Sequence, residues 1–407
     1  MPHPAEFPGW PDHTTARPAA SDTGRGADTP AADHPANTSG DDLDLPWTVA
    51  RPASAPVYAA AADETADRPR NLPGLPPGSG TGPPSGEAIR HLNDWVEQNR
   101  ELIDVGEYKL LRSLGTGAFG TVWEAQNFDT GEHVAIKFLP IGDERWEAML
   151  AEVKFLQALE GTHGIVTVKQ VRRGTRSQPP YYVMPLANAQ SLAERVKAAK
   201  ADPPAPGRPL LPQAEVVRLF TAVAGALAAV HRRGIHHCDL KPQNILLHHP
   251  TPADPATPLI ADFGQAHLAT DDTPALGTFF YMPPDQAAAA LAVSHAQADP
   301  SSAGGAVKAR SDSGWDVYAL GAVVYEMLTG APPRKSDTLT KGLRHTVHFE
   351  SKLAVYRDGV TAAPPPTAHR KLVDPLLAAV IDRCLALDPA RRPRDAGAVV
   401  ALLKHRS

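Results

Sequence analysis

The chain has 407 residues, of which 42% are hydrophobic, and its 45 acidic and 40 basic side chains give a formal net charge of −5. This length allows one large domain or two modest ones. The slight acidic excess argues against nucleic-acid binding, and two cysteines can supply neither a disulfide framework nor a cysteine-rich zinc module. No apolar run approaches the roughly 18 residues that cross a bilayer. We therefore expect a soluble, cytoplasmic protein without a membrane span.

Proline is concentrated at the start of the chain, where residues 1–87 contain 16 of the 42 prolines. Such a composition buries too little apolar surface to offset the entropy cost of ordering, which is about 1–2 kcal/mol per residue. We predict that residues 1–87 form a disordered tail. A docking segment and an inert spacer remain alternative roles for it.

The pattern changes after this tail. Apolar residues recur at helical spacing over 88–107, which predicts an amphipathic helix leading into a domain. Residues 108–143 alternate like strands, whereas helical patterns follow at 145–159, 213–233, 315–329 and 373–387. Strands followed by helices predict an α+β fold with two lobes. Two stretches of low complexity, 287–305 and 362–367, are expected to be surface insertions.

The first motif with chemical content is Gly115-Thr-Gly-Ala-Phe-Gly120, which follows an apolar strand. Glycines at this spacing let the backbone approach phosphates closely. Taken alone, the pattern could also be a dinucleotide-binding turn. Residues 121–125 continue as a strand instead of opening a helix, so we favour a phosphate-covering hairpin.

A lysine, Lys137, ends the apolar strand Val134-Ala-Ile-Lys137. One interpretation is that Lys137 is simply the exposed end of this strand and has no functional role. The functional interpretation pairs Lys137 with an acid on the next helix; we favour Glu152, with Glu144 and Glu147 as rivals. Such a pair would direct the ammonium group at two phosphates of a nucleotide.

Two further motifs supply acid, amide and base groups. In His237-Cys-Asp-Leu-Lys-Pro-Gln-Asn244, Asp239 could orient and deprotonate a hydroxyl, Lys241 could neutralise a phosphate, and Asn244 could bind a divalent ion. Asp262, in Ala261-Asp-Phe-Gly264, adds a second carboxylate. Oxygen ligands and substrate phosphates are what Mg²⁺ prefers, so Asn244 and Asp262 are the predicted metal ligands.

These four motifs, in this order, resemble those of the eukaryotic-like (Hanks-type) serine/threonine protein kinases, over about Tyr108 to Leu403. The resemblance implies a two-lobed protein-kinase-like fold over 108–405, with a small β-rich N-lobe at 108–184 and a larger α-helical C-lobe at 188–405. It also implies ATP and Mg²⁺ as cofactors, protein substrates phosphorylated on Ser or Thr, and a signalling role. The oligomeric state and the physiological substrate stay open.

The resemblance carries over a set of ATP-binding positions in this chain. Within it, Met184 would guard the back of the adenine pocket and the Ala187 N–H would donate to the base. The full set is Leu114, Gly115, Gly117, Gly120, Val122, Ala135, Lys137, Glu152, Met184 and Ala187. Asp316 is expected to brace the catalytic loop.

Three features depart from the family pattern. Cys238 stands where many members have Arg, Pro283-Pro-Asp285 replaces the usual Ala-Pro-Glu, and residues 286–314 are longer than usual. In the family, the Glu of this motif forms an ion pair with an Arg, which is Arg392 in this chain. Asp285 is one methylene shorter than that Glu. None of these changes touches a phosphate-binding or metal residue, so we expect an active enzyme. A non-catalytic binding module of the same fold and a small-molecule phosphotransferase remain the rival interpretations.

Overall fold

A computed structural model describes residues 86–117, 120–140, 143–174, 178–268, 279–298 and 311–405. The predicted tail therefore lies outside the described residues, apart from its last two positions. The N-lobe elements are α1 (Gly86–Asn99), β1 (Tyr108–Thr116), β2 (Thr121–Asn127), β3 (His133–Phe138), α2 (Asp143–Ala158), β4 (Gln170–Arg172) and β5 (Tyr181–Pro185). The strands form one antiparallel sheet in the order β1-β2-β3-β5-β4.

The central strand β3 shows how the pleat separates packing from chemistry. Alternate side chains of a strand point to opposite faces. Val134, Ile136 and Phe138 are fully buried in a core shared with α1. Ala135 lies on the other face in a second apolar cluster, and Lys137 shares that face. One strand therefore supports the lobe's core and also supplies residues for the predicted nucleotide site.

Helix α1 is shorter than predicted: it ends at Asn99, whereas the pattern predicted a helix up to residue 107. The Asn99 amide donates to the Trp95 carbonyl at 2.8 Å, and Asp104 accepts a hydrogen bond from the Gly106 N–H in a turn. Gly106 has a left-handed φ of 69°, which turns the chain toward β1. The apolar residues that extended the helical pattern, such as Ile103, are buried from this turn region instead.

In its described ranges the C-lobe contains most of the helices and four short strands, which are β6 (Ile235–His236), β7 (Ile245–His248), β8 (Thr257–Ile260) and β9 (His267–Leu268). The helices are α3 (Leu192–Ala201), α4 (Gln213–His231), α5 (Pro284–Ala298), α6 (Ser313–Thr329), α7 (Asp337–His345), α8 (Phe349–Ala362), α9 (Pro375–Cys384) and α10 (Ala396–Lys404). Helix α6 is buried on nearly every side, as expected for a helix that is apolar all round. A β-sheet lobe followed by a helical lobe confirms the predicted α+β fold.

The prediction of a surface insertion at 287–305 is wrong for its first half. Residues 284–298 form α5, and Ala287, Ala290 and Leu291 of this helix are buried against α8 in one apolar cluster. Alanine side chains allow two helices to approach closely, so the alanine-rich composition here serves packing. Residues 299–310 lie outside the described part of the chain, and 363–367 form a largely exposed loop.

Helix α4 has the length and mean hydropathy of a membrane span, at 19 residues and 1.4, and is the one such helix in the ranges that the structure covers. Half of its apolar window is buried inside the protein. It packs against α6 and α10, where its buried side chains form part of the C-lobe core.

Gly120 is required by packing. A Cβ at this position would lie 2.1 Å from the Phe138 carbonyl oxygen, which belongs to the neighbouring strand and cannot move freely. We expect Gly120→Ala to destabilise the protein by about 1–3 kcal/mol, as overpacked sites do, and thermal unfolding would measure it. Gly117→Ala is the control, because a Cβ there meets no atom within 4 Å. Equal melting temperatures for the two variants would contradict this assignment.

Candidate active site

Two loops of the C-lobe bring the second pair of motifs together. Strand β6 (Ile235–His236) precedes the first loop, and β7 (Ile245–His248) follows it and pairs with β8 (Thr257–Ile260). The Ala261 N–H donates to the Asn244 carbonyl at 2.9 Å, and His237 Nε2 donates to the Ala261 carbonyl at 3.1 Å. Asp239, Asn244 and Asp262 therefore lie on adjacent loops.

Contacts with Lys241 and Asn244 help to hold Asp239 within its loop. Lys241 Nζ donates to Asp239 Oδ2 at 2.7 Å, and the Asn244 amide donates to the Asp239 carbonyl at 2.9 Å. The carboxylate is nearly buried. An acid and an ammonium group in contact can bind a hydroxyl and the phosphate that it attacks, which is the pairing that the motif predicts.

Asp316 on α6 supports the loop that carries Asp239. Its carboxylate accepts the backbone N–H groups of His237 at 2.8 Å and Cys238 at 2.7 Å, and it contacts His231 Nε2 at 2.9 Å. Burial would raise the pKa of Asp316, but the hydrogen bond from His231 and the nearby imidazoles lower it to about 2. The ionised carboxylate holds Cys238 in a left-handed conformation, with φ at 63°, which a non-glycine residue adopts only where the surroundings stabilise it.

Cys238 lies in a buried, apolar environment. Its side chain is buried against Trp315, and burial together with Asp316 and Asp239 raises the pKa of the thiol well above its usual value. The Cys238 carbonyl accepts a hydrogen bond from Gln286 at 2.9 Å. This thiol is neutral and unreactive at pH 7, in keeping with the buried, packed environment.

Lys137 lies between two carboxylates. Its ammonium group is 2.9 and 3.1 Å from the two oxygens of Glu152 and 2.9 Å from Asp262 Oδ1. Burial opposes its charge, yet Asp262 and Glu152 raise the pKa of Lys137 well above its usual value. Burial also acts to raise the pKa of Asp262, but Lys137 brings it below the usual value. The side chains of the rivals Glu144 and Glu147 lie outside the described part of the chain.

Sequence reasoning missed Tyr182, which completes this cluster. Its hydroxyl donates to Glu152 Oε1 at 2.9 Å, and Lys137 Nζ lies 5.6 Å from the centre of its ring. Tyr182 is directly opposite Lys137 in the β3–β5 register. Only that register identifies it, because the two residues are 45 positions apart in sequence.

The predicted adenine pocket is an apolar cluster between the lobes. It contains Ala135 and Met184, which pair across β3 and β5, and the partly buried Val122. Leu186 and Leu246 join them, and of these two the sequence did not identify Leu246. Ala187 is half-buried at the end of this segment, and Leu114 is 38% exposed on β1. The cluster is an apolar surface, and purine rings bind to surfaces of this kind.

The structure describes the base of the glycine-rich turn, at residues 115–117 and 120–122. Gly115 pairs with Val122, and the Gly117 N–H donates to the Gly120 carbonyl at 2.8 Å. Gly115 has a φ of 150°, at the edge of the region that favours glycine. Residues 118 and 119 lie outside the described part.

The shortened acid of the Pro283-Pro-Asp285 segment still reaches its arginine. Arg392 Nη2 is 2.6 Å from Asp285 Oδ1, and Nη1 is 3.2 Å from Oδ2. Arg392 also donates to the carbonyls of Ala386 and Leu387, at 2.7 and 3.0 Å. The bidentate pair therefore fixes the start of α5 to the loop that precedes α10.

Asn244 and Asp262 fit a magnesium ion by the chemistry of their donors. The Asn244 amide nitrogen is engaged by the Asp239 carbonyl, which directs its amide oxygen to the other side. Asp262 is ionised beside Lys137. Two oxygen ligands from the protein suit Mg²⁺, which completes its shell with phosphate oxygens and water.

A family model described as the protein kinase domain matches residues 108–406, which is most of the chain. The chain therefore belongs to the protein kinase family. Its curated relatives place it with the Hanks-type serine/threonine kinases. The DNA damage-responsive serine/threonine-protein kinase RqkA of Deinococcus radiodurans is 32% identical over 73% of this chain and 39% of its own length. Serine/threonine-protein kinase Pkn1 of Myxococcus xanthus is 29% identical over 76% of this chain and 39% of its own.

A third relative, serine/threonine-protein kinase PknD of Mycobacterium tuberculosis, is 30% identical over 72% of this chain and 38% of its own length. The chain thus spans about two-fifths of the length of these bacterial relatives. The similarity concerns the kinase domain that they share with it.

Proposed function

We propose that this chain is an ATP-dependent protein kinase that transfers the γ-phosphoryl group to Ser or Thr hydroxyls of protein substrates, with a role in signalling. One observation carries the proposal. Lys137 is held by Glu152 and Asp262 at hydrogen-bond distance, while Asp239 and Lys241 lie in contact on the adjacent loop. Positioning and electrostatic stabilisation supply most of the catalysis of phosphoryl transfer.

Each residue has a distinct task in this proposal. Asp239 orients the substrate hydroxyl and accepts its proton, and Lys241 offsets the charge on the transferred group. Lys137 holds the α- and β-phosphates, with Glu152 fixing its position. Mg²⁺, bound by Asn244 and Asp262, would neutralise phosphate charge. The apolar cluster around Ala135 and Met184 binds adenine.

The two rival functions have less support. A non-catalytic binding module has no need of Lys137, Asp239 and Asp262 together, and this chain has all three. A small-molecule phosphotransferase shares the loop spacing, but the glycine-rich hairpin and the Asp285–Arg392 pair favour protein substrates.

The decisive experiment incubates the full chain with γ-labelled ATP, Mg²⁺ and a generic acceptor protein such as myelin basic protein. We expect label on phosphoserine or phosphothreonine after acid hydrolysis, and at least about a hundredfold less with Asp239→Asn. Nucleotide binding without label transfer would favour the binding module. A parallel incubation contains small molecules with hydroxyl groups in place of the acceptor protein. Label found only in those small molecules would favour the phosphotransferase.

We take residues 108–405 as the kinase domain, with lobes at 108–184 and 188–405 and the helix that precedes them. We also assign the protein to the cytoplasm. Cys238 and Cys384 are both free thiols, which agrees with a reducing compartment. Fractionation of cells that express the tagged full chain tests the location, and recovery in the membrane pellet would contradict it.

By the family resemblance, an activation segment ends at Pro283-Pro-Asp285, and we expect that phosphorylation of this segment is not required for activity. Where Arg occupies the position of Cys238, its guanidinium group pairs with a segment phosphate. Cys238 is buried and neutral, so it cannot do so. The candidate acceptors Thr270, Thr273 and Thr278 lie outside the described residues. Phosphatase-treated wild type and a Thr270→Ala/Thr273→Ala variant should retain most of the initial rate. A loss beyond about tenfold in either would contradict this prediction.

A further inference from the structure

The glycine-rich hairpin is tied to a helix that the kinase family model does not include. This hairpin joins β1 to β2, and its turn carries Gly115, Gly117 and Gly120. Asn93, on α1, accepts hydrogen bonds through Oδ1 from the Ser113 hydroxyl at 2.9 Å and from the Thr121 hydroxyl at 2.6 Å. Ser113 is on β1 and Thr121 opens β2, so a single amide joins both strands at the base of the turn.

The hydrogen-bond acceptor is held firmly. The three apolar side chains around it on α1, Leu92, Trp95 and Val96, are buried in the same core as β1, β2 and β3. Asn93 is half-buried between them and the hairpin. Its side chain is therefore presented by a packed helix, and little conformational entropy remains to be lost when it binds the two hydroxyls.

The tie lies beside an irregularity in the pairing of β1 and β2. The β1–β2 register shifts between Ser113 and Gly115, and such a bulge interrupts the ladder of backbone hydrogen bonds. Thr121 also places its hydroxyl 3.4 Å from the Gly115 carbonyl. Asn93 thus supplies a contact to both strands at the point where the ladder itself is irregular.

We infer that Asn93 is a positioning residue for ATP: it sets the hairpin over the nucleotide site without touching the nucleotide. The inference rests on the proposed kinase function, because that function places phosphates beneath the glycine-rich turn. Strand β2 of the hairpin also pairs with β3, whose Ala135 and Lys137 belong to the same site. When the Asn93 side chain is removed, the base of the turn loses this hydrogen-bonded tie to α1, while Lys137, Asp239 and Asp262 keep their contacts.

The test is Asn93→Ala, with the KM for ATP as the readout. Loss of two ordinary hydrogen bonds predicts a rise in this KM of about three- to tenfold. The kcat and the KM for the protein acceptor should stay within about twofold of wild type. Asp94→Ala is the matched control, since Asp94 is the exposed neighbour on the same helix, and it should change neither constant.

A double-mutant cycle tests whether the Asn93–Thr121 hydrogen bond, and not a general effect of α1, changes the KM for ATP. Thr121→Val removes the buried hydroxyl and keeps the branched shape, so it should raise the KM for ATP in the same way. The double variant Asn93→Ala/Thr121→Val should exceed the larger single effect by less than about twofold, because both changes remove one interaction. Fully multiplicative effects would overturn the inference.

Calorimetric titration with ADP and Mg²⁺ gives a readout that needs no catalysis. A weaker Kd for ADP in Asn93→Ala, parallel to the rise in KM, supports the inference. A lower melting temperature or kcat with unchanged Kd and KM would show a merely structural role and overturn it. If the wild type transfers no phosphate, the proposed function fails, yet the Kd for ADP still tests Asn93.

Discussion

Asp239→Asn is expected to reduce kcat by about 10²–10⁴-fold, the usual contribution of a general base. The substitution keeps the shape of the side chain but removes the charge that contacts Lys241 at 2.7 Å. The backbone carbonyl that binds Asn244 is unaffected, so the loop should keep its conformation. Initial rates with labelled ATP and melting curves measure both effects.

The control for this variant is Asp254→Asn, which changes an exposed aspartate of the β7–β8 connection. It should retain the wild-type rate. A folded Asp239→Asn protein that keeps more than a tenth of the wild-type rate would show that Asp239 is not the base.

Lys137→Met should lower kcat/KM for ATP by about 10²–10³-fold, as loss of one preorganised electrostatic donor does. It should also lower stability, because Glu152 and Asp262 lose the ammonium group that compensates their buried charge. Breaking a buried ion pair typically costs about 3–5 kcal/mol. Lys154→Met, an exposed lysine on the same helix as Glu152, is the matched control and should change neither property.

The stability loss of Lys137→Met should depend on pH. Burial already raises the pKa of Glu152, and removal of Lys137 raises it further. A carboxyl group with a raised pKa in the folded state destabilises the protein most above that pKa, where it must be ionised, and the penalty disappears as it is protonated. The melting temperature should therefore fall further below wild type at pH 8 than at pH 5. A difference that is constant with pH would show that no carboxylate is left uncompensated.

The catalytic motifs could be predicted from sequence because each is short and its chemistry requires given residue types at fixed spacing. Asp239, Lys241 and Asn244 share one loop, and the β3 lysine and Asp262 each occur in a four-residue motif. The choice of Glu152 over its rivals followed from helical spacing and matches the 2.9 Å contact with Lys137. The main helices were predicted because their apolar periodicity is local as well.

The tertiary structure decided what depends on residues far apart in sequence. Tyr182 reaches Glu152 only through the β3–β5 register, and Leu246 reaches the adenine cluster only through packing of the lobes. The alanines of α5 are buried because α8 packs on them, whereas their composition alone indicated an exposed insertion. Asn93 and Thr121 are 28 positions apart. Local spacing determines which chemistry a chain can carry, but long-range packing selects the partners that hold each group in place, because those contacts form only when the whole fold does.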